Sequence, residues 1–166
     1  MTSSETVDDI DARPMLRQAC AVLAYRGGKA LRGAPPGFGA FKAGETSRTP
    51  SQIVAHVGDL FDWALSLAKG QQAWHDSAPA TWDEDVQRFF RTLEALDRFL
   101  AGPEPLACPW TRFLAGPVAD AFAHIGQLAM LRRLAGAPIK AENYYKADIQ
   151  IGRVGIDQAA PRREFD

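Results

Sequence analysis

The chain has 166 residues, 46% of them hydrophobic and 23% charged, enough for one domain with its own core and far from the composition of a disordered segment. Nineteen Lys and Arg against 20 Asp and Glu leave a net charge of −1, which argues against the basic field that draws nucleic acid or an anionic membrane. No run approaches the ~18 uninterrupted apolar residues that span a bilayer, so neither nucleic acid nor membrane is an expected partner.

Glu5, Asp8, Asp9 and Asp11 give the first residues the wrong charge for a signal peptide, and no apolar stretch follows. The expectation is a single cytoplasmic domain over 1–166. Cys20 and Cys108 are far apart and fit neither a disulfide framework nor a C-x-x-C pattern, so both read as buried or partly buried thiols.

The first predicted helix covers about 14–32, with Leu16, Ala19, Cys20, Leu23, Ala30 and Leu31 on one broad stripe. Gly27 and Gly28 cost about 1 kcal/mol each relative to Ala in a helix, so a bend or an end is expected there. Gly27-Gly28-Lys29 lacks the spacing of a phosphate loop. A Gly- and Pro-rich connection over 33–48 leads to Thr49-Pro50, an N-cap followed by a proline at the first helical position. The second predicted helix, 50–70, carries Ile53, His56, Val57, Leu60, Ala64 and Leu67 on one face.

Thr81 to Glu84 has the form of a capping box, and the third helix, 82–101, shows the cleanest amphipathic pattern before Gly102 and Pro103 stop it. The fourth predicted helix, 117–135, takes Pro117 as its first residue and Gly136 as its C-terminal cap. The tail, 137–166, has apolar residues without helical period and reads as an ordered, mostly irregular strap. Four amphipathic helices without a convincing strand pattern predict an all-α four-helix bundle with long connections.

Chemistry concentrates in the fourth helix, where Asp120 and His124 stand one turn apart on a face continued by Leu128, Leu131 and Ala135. That stripe points both polar groups toward the interior, where an unpaired charge is costly. His56 lies on the inward stripe of the second helix about 10 Å from its start. Parallel helices bring all three side chains to one level; antiparallel helices need a register shift of roughly one to two turns. Two imidazoles and a carboxylate suit a divalent metal such as zinc, nickel, iron or manganese, with positions left for water or substrate. The plainer alternative is an Asp120–His124 pair at i, i+4 beside a satisfied core histidine.

The segment from His56 to Trp63, and much later His124-Ile125-Gly126-Gln127 running on to Gly136, resembles the DinB/YfiT-like superfamily over all four helices. That resemblance implies a ligand histidine in the second helix and an H-x-x-x-H pair followed by Gly-Gln in the last. Here Asp120 stands where the first histidine of that pair belongs, so a three-histidine site becomes two histidines and a carboxylate, with an altered metal preference or charge. It also implies a thiol-dependent transferase or isomerase chemistry, in which a metal activates the sulfur of a low-molecular-weight thiol, and a bundle that pairs as a homodimer. The expected function is therefore a metal-dependent transferase or hydrolase acting on a small-molecule substrate. The alternative is a noncatalytic helical binding or stress-response module whose polar cluster is structural. Ferrous oxygenase chemistry is a third reading of the same donor set.

Neighbouring residues carry weaker expectations. Gly126 suggests the close approach of another element. Gln127 either orients a ligand or sits exposed. Asp59 either supports the metal site or belongs to a solvated face. Arg26, Lys29, Arg32, Arg132 and Arg133 either hold an anion or line solvated helix ends. Tyr144 and Tyr145 are candidates to line a pocket. His75 lies too far along to share the site.

Overall fold

A computed structural model describes residues 11–165. The acidic stretch Glu5 to Asp9 lies outside them. The described chain is mostly helical, with four long helices and one very small sheet. Helix α1 spans Arg13–Leu31, α2 Pro50–Ala68 and α3 Trp82–Ala101. A single helical turn, α4, covers Trp110–Phe113 and runs through a π-helical turn, Leu114–Val118, into α5, Ala119–Leu134. Among the long helices, α1 and α2 each pack against both α3 and α5.

Local chemistry sets most boundaries. Thr49 Oγ1 accepts the Gln52 N–H while Gln52 Oε1 accepts the Thr49 N–H, and Thr81 and Glu84 repeat the arrangement at the start of α3. The fourth helical segment differs from expectation. Pro117 does not open it; the chain is already helical from Trp110, and the proline lies inside the π-helical turn. Proline lacks an N–H and crowds the preceding turn, so the chain widens there and Gly116 takes a non-helical conformation (φ −84°, ψ −105°).

Helix α1 also continues through Gly27 and Gly28 rather than ending at them. The glycine is required by packing: a Cβ at Gly27 would lie 2.5 Å from Phe89 Cζ, so its absence lets α3 close on α1. The core beneath gathers Leu16, Leu23, Phe61, Phe89, Leu93, Leu96 and Leu128, each at most 1% exposed. Burying one such side chain contributes about 1.5–3 kcal/mol. Cys20 is buried among them, its thiol pushed up to about 12 first by burial, and Cys108 is half-buried.

The described part of the C-terminal strap is mostly irregular, as its aperiodic sequence suggests. It includes a two-residue antiparallel ladder, Ala141–Glu142 (β1) with Glu164–Phe165 (β2), that no strand pattern announces. A buried polar knot fastens it to α1. Lys29 Nζ lies 2.8 Å from Glu142 Oε2 and 2.8 Å from Glu164 Oε1, and the Tyr25 hydroxyl donates to Glu142 Oε1 at 2.8 Å. Lys29 is thus neither a solvated helix end nor an anion hook. Arg132 is likewise committed inward, donating to the carbonyls of Ala30, Arg32, Gly33 and Ala137.

Candidate metal centre

His56 on α2 and Asp120 and His124 on α5 meet at the rim of the helix pair. One donor atom from each lies within 4.8 Å of the other two. The helices achieve this by running antiparallel: Ile53 lines a cleft with Leu131, His56 reaches Asp120 and His124, and Trp63 packs toward Gly116. Rising numbers on α2 thus meet falling numbers on α5, and the extra helical turns before Ala119 supply the register.

The His124 Nε2–Asp120 Oδ1 separation is 3.4 Å and His56 Nε2–Asp120 Oδ2 is 3.7 Å, with the two imidazole centroids 4.7 Å apart and nearly perpendicular. Donors bonded at about 2.0–2.1 Å to one tetrahedral ion stand roughly 3.3–3.5 Å apart. The His124–Asp120 separation matches that and the 3.7 Å and 4.8 Å spans are wider, so the three residues form a group that could hold a divalent cation after a small inward shift of the rings. The expectation that both polar groups point into the interior holds for His124, whose side chain is 12% exposed, and needs correction for Asp120, whose side chain is 49% exposed. The buried stripe of α5 keeps the expected Leu128 and Leu131 but turns through Ala121 and Ile125 toward the start of the helix, which leaves Asp120 at its edge. An exposed carboxylate edge leaves the site open to small molecules.

Two neighbours prepare the imidazoles. His124 Nδ1 lies 2.8 Å from Gln127 Oε1, an arrangement in which the ring donates from Nδ1 and keeps the Nε2 lone pair for an ion. Gln127 is therefore engaged rather than a bystander. His56 is held below its usual pKa, first by burial and then by the neighbouring His124 ring and Arg48, against the pull of Asp120. Neutral imidazole is the ligating form.

Trp74 forms an aromatic wall that the sequence did not disclose. It meets His56 and Trp63 edge to face, each at a centroid distance of 5.7 Å. Asp59 holds the loop carrying it, accepting from Ser77 N at 2.8 Å and Ser77 Oγ at 2.7 Å. Arg88 donates to Asp59, to Asp62 and to the carbonyl of Ala55, crossing α2 where Gly58 leaves room. Asp59 is 1% exposed, so it belongs to neither a solvated face nor the ligand set. Burial alone would raise its pKa; Ser77 and Arg88 outweigh that and hold it below the usual carboxylate range.

Two clefts flank the triad. One, of about 380 Å³, is lined by Ser47, Arg48, Ile53, His124, Gln127, Met130 and Leu131. The other, of about 220 Å³, is lined by Arg48, Gln52, His56, Asp59, Asp76, Ser77 and Pro79. Other expectations fall away from this centre. Gly126 has open space where its Cβ would be, His75 is exposed, and Tyr145 is 96% exposed. Tyr144 lines a separate depression with Gly126, Arg133 and Lys140, and Arg26 stacks on its ring at 4.4 Å. Among the described residues, no helix is long and apolar enough to cross a membrane. Comparison of the chain with protein-family models, with curated proteins and with solved structures finds no match.

Proposed function

We propose that this chain is a DinB-like four-helix-bundle protein that binds one divalent metal ion through His56, Asp120 and His124 and serves as a metal-dependent transferase, of the low-molecular-weight-thiol type, or a hydrolase. The observation that carries the reading is the convergence of three donor atoms from two helices within 4.8 Å at a solvent-open rim. A divalent ion held there supplies Lewis acidity and a lowered pKa for a bound water or thiol. The chain's own residues do the rest. Gln127 orients the ring of His124, Trp74, braced by Trp63, packs edge to face on His56, and the clefts beside the triad admit a small molecule. Zinc, nickel, iron and manganese all suit this donor set.

Metal analysis of untagged protein tests the reading, with stoichiometric metal expected in the wild type and loss expected in His124→Ala and Asp120→Ala. A second reading has one observation in its favour: Asp120 sits between both imidazoles at 3.4 and 3.7 Å, as a purely structural carboxylate would. That reading makes the protein a noncatalytic binding module or homodimer, and it predicts partner association that survives loss of both histidines.

A further inference from the structure

Arg48 is the cation that both clefts beside the triad share. Its side chain is exposed and makes no hydrogen bond or ion pair with the described residues, whereas Arg88 and Arg132 are fully engaged. Its backbone is nevertheless held firmly on both sides. Ser47 Oγ accepts from the N–H groups of Ala43 and Gly44 and donates to the Gly44 carbonyl, and Thr49 is locked in the capping box of α2. A guanidinium rooted in a fixed turn and left without a partner at the mouth of a cleft is arranged to receive a ligand anion.

The two clefts differ in what they offer. Asp59 and Asp76 line the smaller one, and their charges oppose an anion there. The larger one has apolar walls from Ile53, Met130 and Leu131, no carboxylate, and His124 at its edge. Charge balance points the same way. A divalent ion with two neutral imidazoles and one carboxylate keeps a net positive charge, and Arg48 adds another on the wall of the cleft that His124 borders.

Resting on the metal-site reading above, we infer that the cleft between Arg48 and Leu131 is the substrate subsite and takes a small molecule with an apolar body and a carboxylate. The carboxylate pairs with Arg48, and the body lies along Ile53 and Met130 with its reactive end beside His124. Arg48 is thus a specificity-determining residue.

Calorimetric titration with 4-phenylbutyrate and its neutral analogue 4-phenylbutanamide tests this on zinc-loaded and on metal-free protein. Wild type is expected to bind the carboxylate about tenfold or more tightly than the amide, the scale of one charge-assisted contact. Arg48→Gln should reduce that preference to about twofold or less in both metal states while leaving zinc stoichiometry unchanged, and Arg48→Lys should restore part of it. Equal binding of the two probes by wild type, binding of neither, or a preference that survives Arg48→Gln overturns the inference. Failure of the metal site is read separately, as absence of bound zinc, since the Arg48-dependent preference is also measured without metal.

Discussion

His124 Nδ1 and Gln127 Oε1 lie 2.8 Å apart, less than one turn of α5 from each other, and this contact decides which nitrogen of the ring faces Asp120 and His56. Gln127 is exposed, so its removal should not disturb the fold. Gln127→Ala is expected to weaken metal affinity by about 10–100-fold, the usual cost of losing a residue that orients a ligand, with an unchanged melting temperature. Competition against a chromophoric chelator measures it.

Asp59 and Trp74 are linked through Ser77. Asp59→Asn removes a charge-assisted acceptor for Ser77 and Arg88 inside a buried site, so it is expected to destabilise the protein by about 1–3 kcal/mol. Loop 71–80 should then exchange its amide hydrogens faster and Trp74 should leave His56, seen as a change in tryptophan fluorescence. Asp62→Asn, at a half-buried carboxylate on the same arginine, should cost about 1 kcal/mol or less.

Glu142 makes the strap sensitive to acid. Burial disfavours its charged form, but Lys29 and Tyr25 outweigh burial and hold its pKa below the usual value. A folded-state pKa below the unfolded one means that the stabilisation is complete above the ordinary glutamate value of about 4.3 and disappears as pH falls through the folded value. Stability measured by urea unfolding should therefore fall below about pH 4.3, and Glu142→Gln should flatten that slope. Lys29→Met, which leaves Glu142 buried with less compensation, is expected to cost about 3–5 kcal/mol at neutral pH.

Gly27 and Gly126 give opposite outcomes for the same substitution. Gly27→Ala drives a methyl into the Phe89 ring and is expected to destabilise by about 1–3 kcal/mol. Gly126→Ala meets nothing within 4 Å on a helical backbone and is expected to stabilise by up to about 1 kcal/mol. Thermal melts of the two variants check the pair.

Those two glycines also show where the sequence could be read and where it could not. Helices with strong periodicity and caps, such as the one opened by Thr81 and Glu84, were legible to within a residue or two, because capping and amphipathicity are local. The meeting of His56, Asp120 and His124 was legible from the i, i+4 spacing of the pair on α5 and from the place of His56 on the apolar stripe of α2. What Gly27 and Gly126 do was not, since only the partner helix decides whether a missing Cβ is needed. Pro117 misled for a related reason: a proline at a helix start and one absorbed by a π-helical turn look alike in sequence. Trp74 and Arg48 sit on connections without periodicity, and only the folded loops bring them to the site.

Anomalous diffraction at the edge of a metal bound to untagged protein tests the central claim most directly. The account predicts one peak within about 2.0–2.2 Å of a nitrogen of His56, a nitrogen of His124 and an oxygen of Asp120. A metal-supplemented crystal with no peak among these residues, and with Asp120 hydrogen-bonded to both imidazoles instead, would contradict it.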